Sequence, residues 1–365
     1  MWHMAMHPKE FWRRVSDGLE VGELWRRFRS DALASYSLYN REVDWSPLPG
    51  ERRGQRFLRI AHLRFWAMLM KLSPPRRILL LISLVALVGA IAGAEVCMLL
   101  STGCLLVLVA LELADRVVMK RDLEIARDIQ RWLVPATPPE IPGYDMAFAT
   151  VPANTVSGDY YDAFPRQVAG EESPRLHVVV ADVAGKSVPA ALLMATFEAS
   201  LHTLAYTLPG LSELVAGLNR YASAHSLEGR RFTTAFLADI APASGELRYI
   251  NAGHNVPILR RASGGLERLE AGGLPLGIRA DAPYECGATT LEPGDLLVVF
   301  TDGVVDAENA QGQEYDESRL LALCQRSGAR PAAETLAELM ASVSAFVGDA
   351  PRHDDLTCLI LRRSG

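Results

Sequence analysis

Four aspartates stand where this sequence could do chemistry. Asp159 follows a Ser-Gly turn in TVSGDYYDAFP, and Asp182 ends the apolar run of VVVADVAGKS. Asp302 does the same in VVFTDGVVDAEN, and Asp354 opens the pair Asp354-Asp355 ahead of the last apolar run, in RHDDLTCLILRR. A carboxylate at the tip of a buried strand is costly unless it is paired or bound to a metal. Oxygen ligands on rigid strand ends, with a glycine beside Asp159 and Asp302 and a Gly turn after Asp182, suit a hard divalent cation. Two such ions would hold a water, lower its pKa and clamp a phosphoryl group. Any one of these aspartates also reads as a turn residue or a cap; their recurrence favours the metal reading.

The elements that would carry them follow from texture. From about Tyr144 onward, MAFATVP, LHVVVADV, TTAFLADI, ELRYINAG, VPILRR, DLLVVFTD and LTCLILRR are β-rich runs bounded by Gly, Pro, Asp or Asn. Longer helical stretches lie between some of them, beginning at Pro189, Leu211, Glu317 and Pro331. Grouped strands with intervening helices predict an α+β sandwich rather than a regularly alternating parallel sheet. Upstream, ADRVVMKRDLEIARDIQRWL reads as a helix with one apolar stripe, Val117, Leu123, Ile125, Ile129 and Leu133. That stripe needs a partner, either a second copy of the chain or the adjacent domain.

The N-terminal third has a different character. Between Ile78 and Leu113, cysteines aside, only Glu95 and Glu112 are ionisable, and Gly93-Ala94-Glu95 divides the run into two short apolar halves. Lys71, Arg76 and Arg77 precede it and Arg116, Lys120 and Arg121 follow it, which puts both ends of a membrane hairpin on the cytoplasmic side. A buried hairpin in a soluble core is the bland alternative. Residues 1–77 carry 15 Lys and Arg against 8 Asp and Glu, net +7, and the remainder carries net −13. The basic part, with Phe57 to Leu72 as an amphipathic helix, suits an anionic lipid interface. The acidic remainder argues against nucleic acid. Cys97, Cys104, Cys286, Cys324 and Cys358 form no C-x-x-C pair, so neither a zinc site nor a disulfide framework is expected.

In order and spacing, IARDIQRWLVP, VSGDYYD, VADVAGKSVPAALLMA, FTTAFLADI, LRYINAGHNVPILRR, LPLG, VVFTDGVVDAEN and HDDLTCLILRR resemble the bacterial metal-dependent serine/threonine protein phosphatases of the PPM superfamily, SpoIIE/RsbU-type group. The resemblance covers about Ala126 to Arg363. It implies two antiparallel sheets sandwiched by helices, preceded here by a transmembrane helical hairpin and a linker helix. It also implies two Mn²⁺ or Mg²⁺ ions. Asp159 would bind one; Asp182 would bridge both, with the Val183 carbonyl beside it; Asp302 and Asp354 would hold the other, and Asp355 is a further candidate. The implied division is a basic cytoplasmic region (1–77), a hairpin (78–113), a linker or switch helix with a possible dimer contact (114–137) and a phosphatase domain (138–365). The implied substrate is a phosphorylated small regulator, an anti-sigma-factor antagonist, and the implied place is the bacterial inner membrane with the catalytic domain in the cytoplasm. A catalytically silent interaction module of the same fold is the alternative.

The sequence also departs from the pattern. Ala184 stands where eukaryotic relatives carry a histidine, Ser157 where glycine is commoner, and Ser187 where a second glycine is commoner and could cap the next helix. His254 is expected to be structural, Lys186 a turn lysine, Tyr160 and Tyr161 packing behind the acidic cluster, and Asp162 and Asp306 braces; His353 lies beside the aspartates.

Overall fold

A computed structural model describes residues 53–168, 170–185, 188–225 and 231–365. The chain forms two compact units, Met1–Val117 and Val118–Gly365.

In the first unit, helix α1 (Arg53–Lys71) precedes α2 (Pro74–Ile91) and the first part of α3 (Glu95–Leu133). Pro74 and Pro75 sit in the first turn of α2, where a missing N–H costs nothing. Gly93 takes φ +95° between α2 and α3, a conformation that favours glycine. The two helices touch closely. Each of Ser83 and Ser101 donates its hydroxyl to the other's carbonyl, at 3.2 and 3.0 Å. A Cβ on Gly89 would lie 3.0 Å from Cys97 Sγ. Arg76 pairs with Glu112 at 3.2 Å and Asp115 at 2.7 Å. Both α2 and α3 contain stretches long and apolar enough to cross a membrane.

In the second unit, β1 (Tyr144–Val151), β11 (Leu356–Arg363), β10 (Leu296–Phe300), β6 (Ile258–Arg260) and β7 (Leu266–Arg268) form one sheet in that order. The other runs β2 (Asp159–Arg166), β3 (Arg175–Val183), β4 (Thr233–Ile240), β5 (Glu246–Ala252) and β8 (Gly272–Gly273), with β9 (Gly287–Thr290) also paired to β5. Pairing is antiparallel except for the two-residue β5/β8 contact.

The alternation of strand side chains builds three apolar layers. Val178 and Val180 face Leu297, Val299, Leu359 and Leu361 between the sheets. Val179, Ala181 and Val183 face the other way, onto helices α4 (Val188–Thr207) and α5 (Leu211–Ala224). Leu296, Val298 and Ile360 pack against α7 (Glu317–Arg326) and α8 (Ala332–Val347). A short α6 (Asp302–Val305) follows β10. The result is the expected α-β-β-α sandwich. Helix α4 is also apolar and long enough to span a bilayer, yet Met194, Phe197 and Leu201 seat it on the sheet.

Candidate metal centre

Two of the aspartates lie on strands of one sheet, and two flank neighbouring strands of the other. Antiparallel pairing of β2 with β3 sets Asp159 directly opposite Asp182. In the other sheet β10 and β11 are neighbours, pairing Phe300 with Cys358; Asp302 lies just past the end of β10, and Asp354 just before β11.

The four carboxylates interact through charge. Burial, then the charges of Asp302, Asp354 and Asp355, push the Asp182 carboxyl up to about 7. Asp159, 5% exposed, is raised well above the usual carboxylate range by burial and then by Asp182, against which the Thr357 and Thr301 hydrogen bonds work. Like charges gathered so closely favour either a proton or a cation between them. Among the described residues no three or more His, Cys, Asp or Glu side chains are gathered closely enough to hold a metal ion as they stand. A hard ion such as Mg²⁺ keeps several waters and needs only one or two carboxylates, so the oxygen-only donor set fits it.

The surrounding shell is built from hydrogen bonds. Asp355 accepts from Ala153 N at 2.8 Å through one carboxylate oxygen, and from Ser157 Oγ and Gly158 N, each at 2.8 Å, through the other. It therefore braces the loop that leads into Asp159. Ser157 Oγ in turn accepts from Asp159 N at 3.0 Å, and Thr301 Oγ1 donates to Asp159 Oδ2 at 3.0 Å. Backbone approach is tight on both sides: a Cβ on Gly158 would lie 3.0 Å from the Val183 carbonyl, and one on Gly303 would lie 2.0 Å from the Asp355 carbonyl.

Sequence reasoning missed Gln130. Its side-chain amide clasps Ser157 in both directions: Nε2 donates to the Ser157 carbonyl at 2.8 Å, and Ser157 N donates to Oε1 at 3.1 Å. The helix carrying Gln130 is thus joined, through one residue, to Asp159 and Asp355. Arg231 was also missed; it donates to the Ala184 carbonyl at 2.9 Å, steadying the turn after Asp182.

The remaining candidates have structural surroundings. His254 Nδ1 lies 2.9 Å from Thr234 Oγ1, its backbone N–H donates to Asn251 Oδ1 at 2.6 Å, and burial pushes its imidazole down to about 4. Asp162 accepts from Tyr160 Oη at 2.7 Å and lies 2.8 Å from His202 Nε2. Tyr160 packs on Phe197 toward α4, whereas Tyr161 faces Phe148 between the sheets. Burial, then Asp354, raise the Asp306 carboxyl, and Asp306 shares a pocket with His353 and Asp354. Lys186 and Ser187 lie outside the described residues.

Comparison with known proteins converges on one group. Residues 172–364 match the family described as Stage II sporulation protein E (SpoIIE). The chain is 30% identical over 248 residues to phosphoserine phosphatase RsbU of Bacillus subtilis, covering 67% of this chain and 71% of RsbU. The SiaA-PP2C domain of Pseudomonas aeruginosa has the same fold, with a TM-score of 0.59 at 21% identity over 68% of this chain and 98% of that one. The PP2C phosphatase domain of SpoIIE from Bacillus subtilis gives 0.51 at 18% identity, over 60% and 61%.

Proposed function

The chain belongs to the SpoIIE family and is a metal-dependent protein phosphatase, and from that premise we propose that it dephosphorylates phosphoserine or phosphothreonine on a small regulatory protein while anchored in the bacterial inner membrane. The observation that carries the reading is the pairing of Asp159 with Asp182 across β2 and β3, with burial and then Asp302, Asp354 and Asp355 pushing the Asp182 carboxyl up to about 7. In this assignment Asp159, Asp182 and the Val183 carbonyl would hold one Mn²⁺ or Mg²⁺, and Asp182, Asp302 and Asp354 would hold a second. Asp355 braces the loop. Bound ions supply a water of lowered pKa and neutralise charge on the phosphoryl group. The chain's own part is to orient: Gln130, Ser157 and Asp355 fix the backbone at Asp159, Thr301 aims its carboxylate, and Gly158 and Gly303 allow the close approach of the loops. His254, neutral at pH 7, holds Thr234, the cross-strand neighbour of Asp182.

The same proposal extends to the rest of the chain. Residues 1–77 form a basic cytoplasmic region attracted to anionic lipid, 78–113 cross the membrane as a hairpin, 114–137 link it to a cytoplasmic phosphatase domain at 138–365, and two copies pair through the linker. The substrate is an anti-sigma-factor antagonist, by analogy with the group. The test is phosphate release from a phosphoserine regulator by the full chain in detergent, with and without Mn²⁺, beside Asp182→Asn. Metal-dependent release that the substitution abolishes supports the reading; equal release by both proteins overturns it.

A further inference from the structure

Beyond Val118, helix α3 brings a row of charged residues to its own domain beside the half-buried Leu123, Leu133 and Val134. Lys120, Glu124, Arg127 and Arg131 recur at helical spacing and together line a cleft of about 750 Å³. On the opposite side of the helical wheel, Val118, Ile125 and Ile129 are exposed, and Trp132 is 84% exposed. A helix that only closes a core turns its apolar stripe inward. Here three cations, two of them exposed, border the cleft instead, and Asp159 and Ser157 line it too. Arg127 Nε is buried without a hydrogen-bond partner, and its contact with Asp128 is long, at 3.7 Å. Gln130, on the same stretch of helix, is clamped to Ser157, so these cations are held beside the approach to the aspartates.

We propose that this cleft receives the acidic segment flanking the phosphoserine of the substrate, with Arg127 and Arg131 as its specificity determinants; this rests on the phosphatase reading above. The aspartate cluster repels an acidic peptide until it is neutralised, and a cationic wall offsets that repulsion along the path of entry. Guanidinium groups suit the task because they pair with carboxylates in a two-pronged fork. Lys120 adds charge at the mouth, where its contact with Glu124 is loose, at 4.0 Å. Selection by charge across a solvated cleft acts on encounter and on KM, and weakens with salt.

The test compares the full chain in detergent with Arg127→Glu/Arg131→Glu and the milder Arg127→Gln/Arg131→Gln, all with Mn²⁺. Three probes are used: a phosphoserine peptide with Asp and Glu on both sides, the same peptide with Asn and Gln in their place, and p-nitrophenyl phosphate. The parent is expected to prefer the acidic peptide about tenfold in kcat/KM, mostly through KM and less at high salt. The Gln pair should remove that preference and the Glu pair invert it, with kcat for p-nitrophenyl phosphate falling far less than kcat/KM for the acidic peptide. An equal preference in parent and variants, or none in the parent, overturns the inference and leaves the cleft as a seat for another segment of protein. If none of the probes is turned over, the phosphatase reading has failed. Fluorescence anisotropy of the labelled peptides then decides the cleft: binding of the acidic peptide that charge reversal abolishes supports it, and binding that the variants leave unchanged refutes it.

Discussion

At the scale of single residues, the aspartates were legible because their types are costly where they stand, whereas the groups that orient them were not. Gln130 carried no signal: in a helix a glutamine is an ordinary surface residue, and only the folded chain brings it to Ser157, 27 positions away. Replacing it with methionine keeps length and removes both hydrogen bonds, leaving the Ser157 N–H and C=O unpaired. Partners of metal ligands typically contribute about 10–100-fold to metal affinity. Gln130 acts one residue further out, through Ser157. Gln130→Met is therefore expected to weaken Mn²⁺ binding by up to about tenfold in calorimetric titration, the low end of that range, and Gln130→Glu, which keeps only the acceptor, to fall between. The Asp182 carboxyl, held near 7 against an ordinary 3.8, makes the metal-free protein take up a proton on folding. Its stabilising effect is complete below the unfolded value and is lost as pH rises through 7. The melting midpoint of the metal-free chain should then fall from about pH 5 to about pH 8, by roughly 2–4 °C per kcal/mol lost. Asp182→Asn should flatten that fall, and a midpoint that rises over the same range would contradict the assignment.

Among the elements, the long strands around the aspartates were readable as β-rich runs, but β2 was not. DYYDAFPR looks like a loop because it joins a turn, two acids and a proline, yet it forms the strand Asp159–Arg166. It lies at the edge of its sheet, paired to β3 alone, where a proline deprives no neighbouring strand of a donor. Asp159 thus begins a strand rather than ending one, and that start is what sets it opposite Asp182. The short β7, β8 and β9 escaped for a simpler reason: two to four residues hold too little periodicity to see. Conversely, the second apolar run and the linker read as separate segments because their compositions differ, while the backbone continues through both as the 39 residues of α3. Helical hydrogen bonding is indifferent to that change of surroundings. Where two loops cross, the constraint is steric. Gly303 sits against the Asp355 carbonyl so closely that any Cβ must displace one loop or the other. Gly303→Ala is expected to destabilise the domain by about 3 kcal/mol in chemical denaturation and to weaken Mn²⁺ binding by moving Asp302 and Asp354. Unchanged values for both would mean that these loops yield easily.

For the whole molecule, sequence composition separated the basic start, the apolar hairpin and the acidic sandwich, because burial, lipid and water each demand a different surface. It left the partner of the linker stripe open between a second copy and the adjacent domain. We propose the second copy as partner of its exposed part: Ile125, Ile129 and Trp132 are about half exposed or more, whereas Leu123 and Leu133 of the same stripe are half-buried. Apolar side chains at this spacing along a helix gain by burial against an identical stripe, which two copies tethered in one membrane would present to each other in parallel. Asp122, falling between Val118 and Ile125, would weaken that seam without forbidding it, as polar residues at such positions do. The pairing is testable by sedimentation of the full chain in density-matched detergent. Parent protein should run as a dimer, and Ile125→Asp/Ile129→Asp as a monomer, since each buried carboxylate would have to be desolvated. Because those positions face away from Arg127 and Arg131, turnover of p-nitrophenyl phosphate should survive in the monomer. A variant that stays dimeric would assign the contact to the hairpin instead, where Ser83, Ser101 and Gly89 already show how closely apolar helices in this chain can pack.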